Sequence, residues 1–202
     1  MNGDYDLGYL ASNCFWGRDP GRLVRSLQKY VTDFSGVRVL DAGCGEGKNA
    51  AFLAQRGALV RAVDISEAAL ANGQSAFGAI SGIQWELSDV RTMNITDKYD
   101  IVIAYGLLHC LASAGEITDT VRILQSATKD SGYNILCAFN SRAQDLSAHP
   151  GFAPTLLDHD ALLAYYKGWR ILEASDSDLT EVHPHNQIRH THSLTRILAQ
   201  RN

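Results

Sequence analysis

The chain has 202 residues, 46% of them hydrophobic and 20% charged, with 18 basic against 22 acidic side chains and a net charge of −4. This is the balance of a soluble globule long enough to bury a sizeable core, and a single domain over 1–202, with residues 1–35 as a helical cap segment, is the expectation. With no basic block to neutralise phosphates, a nucleic-acid partner is disfavoured.

Asn13 to Asp19 reads as a turn, and Pro20, with Asp19 as N-cap, opens a helix over 20–33 in which Leu23, Val24, Leu27, Tyr30 and Val31 recur at helical spacing. Val37 to Leu40 is a short apolar strand that breaks at Asp41 and turns on Gly43, Gly45 and Gly47 into a helix over 46–56, stopped by Gly57. Leu59 to Val63 is a second strand closed by Asp64, and Ser66 with Glu67 starts a helix running to about Ala79. Ile83 to Leu87 is a third strand, followed by Ser88-Asp89. Asp100 to Tyr105 is almost continuously apolar, as a central strand buried on both faces must be. A helix over 116–129 and a strand over 133–139 follow. This alternation predicts an α/β fold, a Rossmann-like doubly wound parallel sheet with right-handed crossovers. In the tail, Asp158 to Tyr166 reads as a helix and Trp169–Ala174 and Arg189–Leu198 as strands. The polar segment between those strands has no helical pattern, so they form an antiparallel hairpin at the end of the sheet.

Four cysteines stand at 14, 44, 110 and 137, without C-x-x-C spacing, which fits reduced thiols and a cytoplasmic location. The acidic N-terminus has no basic n-region and apolar run, so no signal peptide is expected. The most apolar stretch, 101–112, is broken by His109 and too short to span a bilayer, so no membrane partner is expected.

The glycine turn carries the chemistry. A dinucleotide fingerprint wants G-x-G-x-x-G, but with Gly43 and Gly45 as the first two glycines the third position is Lys48. A phosphate loop wants G-K-[ST], but Asn49 follows Lys48. Asp64, with Ile65 behind it, ends the second strand where an acidic residue accepts hydrogen bonds from two ribose hydroxyls. Asp89 is placed to meet an adenine amino group, with Val90 as backbone donor, and Asp41 to serve an ammonium. Cys44 fills the turn between the glycines. The set suits an adenosine carrying an amino acid.

V-L-D-A-G-C-G-E-G-K-N, A-V-D-I-S, S-D-V and D-I-V-I-A-Y together resemble the class I S-adenosylmethionine-dependent methyltransferases, over about residues 37–140. The resemblance implies a three-layer fold on a seven-stranded sheet, mostly parallel with an antiparallel final strand. It also implies S-adenosyl-L-methionine as cofactor, with Asp41, Gly43, Gly45, Asp64, Asp89 and the turn after Tyr105 around it. G-Y-N-I-L, Y-Y-K-G-W-R-I-L-E, E-V-H and T-R-I-L-A look like the tellurite-resistance-type methyltransferases, small enzymes that methylate soft oxyanions and related small acceptors. F-W-G-R-D-P at 15–20 is similar to the N-terminal turn of many small bacterial methyltransferases.

Trp16 is placed to cover the cofactor and Arg18 to pair its carboxylate. His109, one turn beyond the fourth strand, is a candidate general base. His183, His185, His190 and His192 form two i, i+2 pairs that point to one face of extended backbone. Brought to the acceptor pocket they offer a proton acceptor, an anion site or metal ligands, and His190 and His192 are assigned a catalytic role; no metal ligand set is assigned. The turn after the fourth strand lacks the Asn/Asp-Pro-Pro-Tyr pattern of enzymes acting on planar amines, which together with the acidic balance points to a small-molecule acceptor.

Overall fold

The computed structural model describes residues 5–183 and 186–202. Its centre is β1 (Arg38–Ala42), where Val39 and Leu40 are both fully buried although they point to opposite faces. Val39 packs with Leu23, Leu27, Leu53, Ile101 and Ile103 on one face, and Leu40 with Val63, Val102 and Leu124 on the other. Burial on both faces is what an uninterrupted apolar strand requires.

Around β1 stand β2 (Leu59–Asp64), β3 (Ile83–Leu87), β4 (Tyr99–Tyr105), β5 (Thr128–Gln144), β6 (Arg170–Val182) and β7 (Arg189–Gln200). Their order is β3-β2-β1-β4-β5-β7-β6, and β7 runs antiparallel to both β5 and β6 while the other pairs are parallel. The helices are α1 (Tyr5–Ala11), α2 (Arg22–Ser26), α3 (Lys48–Ala54), α4 (Glu67–Phe77), α5 (Ala114–Ala127) and α6 (His159–Ala164). Strand order reverses between β1 and β4, so the loops leaving their C-terminal ends part and open a crevice. Ser66 caps α4 by accepting from the Ala69 amide at 3.1 Å, and Ser113 caps α5 through the Glu116 amide at 3.2 Å.

Four expectations are corrected. The helix read over 20–33 stops at Ser26 and tightens into a 3-10 turn, Leu27–Lys29. Its N-cap is Gly21, not Asp19, which instead pairs with Arg25 at 3.2 Å on the surface. β1 does not break at Asp41 but runs on to Ala42, and within the expected helical cap residues 5–11 form a helix of their own. The polar segment after Ala174 is strand: β6 continues to Val182, paired with β7 throughout. It hid because β6 is an edge strand, whose two-residue period is written in Ser, Asp, Thr and Glu rather than in apolar residues. Arg142, paired with Asp176 at 3.0 Å and Asp178 at 2.6 Å, further charges that region.

Candidate functional site

The turn after β1 is built from glycines because its backbone demands it. Gly43, Gly45 and Gly47 have φ of 67°, 54° and 75°, the left-handed region that side chains resist. The turn is tied to the end of β2: the Cys44 amide donates to the Val63 carbonyl at 2.9 Å, and the Gly45 amide to Asp64 Oδ2 at 2.7 Å. The other Asp64 oxygen accepts from the Ser66 amide at 2.9 Å, so this carboxylate locks the turn to the start of α4, and burial raises its pKa.

A cavity of about 260 Å³ opens at this turn. Trp16, Gly43, Cys44, Gly45, Asp64, Ile65, Asp89, Val90, Tyr105 and His109 all line it. The fold thus gathers these expected residues, spread over 93 positions from Trp16 to His109, at the parting between β1 and β4. Arg18, Asp41, His190 and His192 are not among the lining residues.

Arg18 donates to the Ala76 carbonyl at 2.9 Å and lies over the Phe77 ring, where a cation complements the C-terminal end of α4. It does not face the cavity; the lining cations are Lys48 and Arg91. Arg91 grips Asp89, with Nη2 to Oδ2 at 2.6 Å and Nε to Oδ1 at 3.0 Å, and holds that carboxyl below its usual range. Lys48 Nζ donates to the Trp16 carbonyl at 2.7 Å, fixing the aromatic turn over the site, and burial lowers its pKa.

Asp41 lies behind the glycines, 1% exposed, and neither of its carboxylate oxygens makes a hydrogen bond of ordinary geometry. Burial pushes its pKa to about 7, the Ala50 amide offsets part of this, and Asp64 adds to it. Glu46, also buried, accepts from the Cys14 amide at 2.7 Å and from Asn72 at 3.1 Å through Oε1, while Oε2 has no partner. Burial raises the Cys44 thiol well above its normal range, so it is a filler of the turn and not a nucleophile.

His109 is buried and stacks on Phe139, ring centroids 4.0 Å apart. Its Nδ1 accepts the Phe139 amide at 3.2 Å, which leaves Nε2 as the protonated nitrogen. Burial and the neighbouring His192 and His149 push its pKa down to about 3. The residue expected as a general base is therefore a neutral ring that presents a donor.

His190 and His192 are turned away from the cavity, 1% and 0% exposed, into a cluster with His149, His183 and Glu181. His185 lies outside the described residues. Sequence reasoning missed His149, isolated in the β5–α6 connection, and Glu181, hidden in the unread half of β6. It also missed Tyr9 of α1, whose hydroxyl would stand 3.0 Å from a Cβ on Gly45. His149 and Tyr9 carried no local signal, because each reaches the site through a long-range contact, and Glu181 stood out only as the first residue of the family-like E-V-H.

The family model described as Tellurite resistance protein TehB matches residues 24–191. The chain belongs to the TehB family. It is 29% identical over 153 residues to Hemagglutinin 1 of Eikenella corrodens, covering 75% of this chain and 50% of that protein. It is 27% identical over 150 residues to a probable S-adenosyl-L-methionine-dependent methyltransferase TehB of Haemophilus influenzae, covering 74% of this chain and 51% of the other. The chain thus spans about half the length of these curated relatives. The crystal structure of TehB from Haemophilus influenzae superposes with a TM-score of 0.76 at 24% identity, covering 90% of this chain and 62% of that one. The seven-stranded mixed sheet is the Rossmann-like fold of class I S-adenosylmethionine-dependent methyltransferases. Among the described residues no helix is long and apolar enough to cross a membrane.

Proposed function

We propose that the protein transfers a methyl group from S-adenosyl-L-methionine to a small acceptor, a thiol or a soft oxyanion of the tellurite kind. The observation that carries the cofactor reading is Asp41. Its buried carboxylate stands directly behind the glycine turn, eased only by the Ala50 amide, and a ligand in the cavity that brings positive charge would complement it. S-adenosyl-L-methionine has an ammonium and a sulfonium. Gly43 and Gly45 would give its backbone approach, Asp64 and Ile65 would meet the ribose, and Asp89 and Val90 the adenine. Trp16 and Tyr105 line the same cavity and would enclose it. The cofactor supplies an activated methyl and its own leaving group; the chain binds, orients and excludes water.

The acceptor reading follows from proton chemistry. A neutral His109 with a pKa near 3 is too weak a base to deprotonate an amine or a phenol at neutral pH. Glu181 lines the cavity but holds Oε1 within 3.7–3.9 Å of three histidine nitrogens. A nucleophile that is already ionised, or soft and polarizable, needs no such base. The charge balance disfavours a nucleic-acid acceptor, and the four free cysteines, with no disulfide among the described residues, suit the reducing cytoplasm.

The test is incubation with methyl-labelled S-adenosyl-L-methionine and, separately, tellurite, selenite, small thiols, phenols and amines. Label is expected in the oxyanion or thiol products. Transfer to phenols or amines alone replaces this reading with a biosynthetic O- or N-methyltransferase. Tight cofactor binding with no transfer across the panel makes the protein a non-catalytic binder. His109→Asn, which keeps a polar amide near the Nδ1 position without a titrating nitrogen, is expected to leave the pH profile between pH 6 and 9 unchanged; loss of an acidic limb in that range would restore His109 as the base.

A further inference from the structure

Beyond the cofactor cavity, β7 and the end of β6 carry a second constellation. His149 Nε2 lies 3.1 Å from His190 Nε2, 3.3 Å from His192 Nε2 and 3.2 Å from His183 Nε2. Glu181 Oε1 stands 3.7 Å from His190 Nε2 and 3.9 Å from His192 Nε2. One ligand atom from each of His149, Glu181, His190 and His192 falls within a group whose members all lie within 4.8 Å of one another.

Protons alone do not account for this arrangement. His190 Nδ1 lies 2.9 Å from the Ile188 carbonyl, which only accepts, so Nδ1 carries the hydrogen and Nε2 a lone pair. His192 Nδ1 lies 2.8 Å from Gln144 Oε1. Gln144 Nε2 donates to the Asn140 and Ser193 carbonyls at 2.7 and 2.8 Å, so its oxygen is an acceptor and His192 likewise turns a lone pair inward. A single His149 Nε2 has either one proton or one lone pair, yet it meets three imidazole nitrogens at hydrogen-bond distance. At most one of those contacts is matched by a proton. The rest is a set of lone pairs and a carboxylate gathered within 4.8 Å of one another.

We propose that His149, Glu181, His190 and His192 form a closed binding site for one divalent ion of the zinc class. Zinc–nitrogen bonds of 2.0–2.1 Å set nitrogen–nitrogen edges of roughly 3.3 Å in a tetrahedron, which the 3.1 and 3.3 Å separations already approach. Three imidazoles and one carboxylate suit a borderline ion and not magnesium or calcium, which take oxygen ligands. Fixing the tautomers through the Ile188 carbonyl and the Gln144 side chain is the outer support that metal-ligating histidines require. His183 flanks the group, its ring stacked on Phe15. Four protein ligands leave no open position, so the ion is structural. It ties the β5–α6 connection, through His149, to the β6–β7 hairpin, and so fixes the wall of the cavity that Glu181 and Leu179 line.

The site does not depend on the methyl-transfer reading, and binding of S-adenosylhomocysteine serves as a separate measure of a folded protein. The experiment uses the tag-free chain, stripped with a chelator and titrated with Zn²⁺ against a chromophoric competitor. One Zn²⁺ per chain is expected, with a higher melting temperature on loading and an absorption spectrum of the bound metal showing imidazole scattering. Glu181→Gln and His149→Ala should each weaken binding by about 100-fold or more, and Gln144→Ala, which frees the His192 ring, by about tenfold. Two variants on different elements guard against one that fails to fold. A stripped wild type that binds the cofactor product but takes up no stoichiometric Zn²⁺ overturns the proposal, as do folded His149→Ala and Glu181→Gln variants that bind Zn²⁺ like the wild type.

Discussion

Asp41→Asn is expected to make the ligand-free protein more stable and nearly unable to bind S-adenosyl-L-methionine. In the native state burial raises the Asp41 pKa from 3.8 to about 7. A raised carboxyl pKa means that the folded state holds its proton more tightly than the unfolded chain. The penalty is absent below pH 3.8, grows between pH 4 and 7, and is complete above about pH 7. That displacement corresponds to about 4 kcal/mol, of which local relaxation and the unpartnered amide of the replacement leave a gain of about 2 kcal/mol. Urea unfolding at pH 8 should show this gain, and it should shrink towards zero near pH 4. Loss of the buried charge should weaken binding of the cationic cofactor by roughly 30-fold or more, the worth of a charge-assisted contact of about 2–3 kcal/mol. In the wild type, affinity should rise as pH climbs through 7. A variant that is destabilised at pH 8, or that binds the cofactor normally, removes Asp41 from the site.

Gly47→Ala is expected to cost about 3 kcal/mol, for two separable reasons. Gly47 holds φ +75°, where an L side chain costs about 1–2 kcal/mol, and an added Cβ would stand 2.3 Å from Trp85 Cη2. Trp85 packs under the glycine turn and against α4, where a Cβ on Gly73 would meet it at 2.7 Å. Moving its ring therefore disturbs both the glycine turn and α4. Gly106→Ala is the control: φ is +89°, and no atom lies within 4 Å of its would-be Cβ. It should lose about 1–2 kcal/mol, the conformational part alone. Trp85→Leu added to Gly47→Ala should recover the difference, read as a coupling in a double-mutant cycle of chemical unfolding. Equal costs for Gly47→Ala and Gly106→Ala would show that the Trp85 contact does not shape the turn.

The residues that act through local geometry were legible. Asp41 and Asp64 stand in the last two positions of their strands, Gly43, Gly45 and Asp89 lie just beyond theirs where the chain must turn, and the apolar runs of β1 and β4 announce burial on both faces. The residues that act through distant contacts were not. Arg18 reads as a cofactor partner until the fold shows it capping α4. His109 reads as a base until the Phe139 amide takes its Nδ1 and burial removes its charge. Half of β6 is invisible because an edge strand buries too little to need apolar residues.

The sequence by itself determined the sheet, the glycine turn and the class of cofactor, because strand periodicity, left-handed glycines and strand-end carboxylates are properties of a few neighbouring residues. The antiparallel pairing of β7 between β5 and β6 places His190 and His192 beside Glu181, and the β5–α6 connection brings His149 up to them. Only the tertiary structure decided that arrangement, which gathers His190 and His192 into a buried cluster with His149 and Glu181 instead of setting them at the cavity mouth. Burial and the direction of a lone pair depend on what every other element leaves in place, and no local pattern records them.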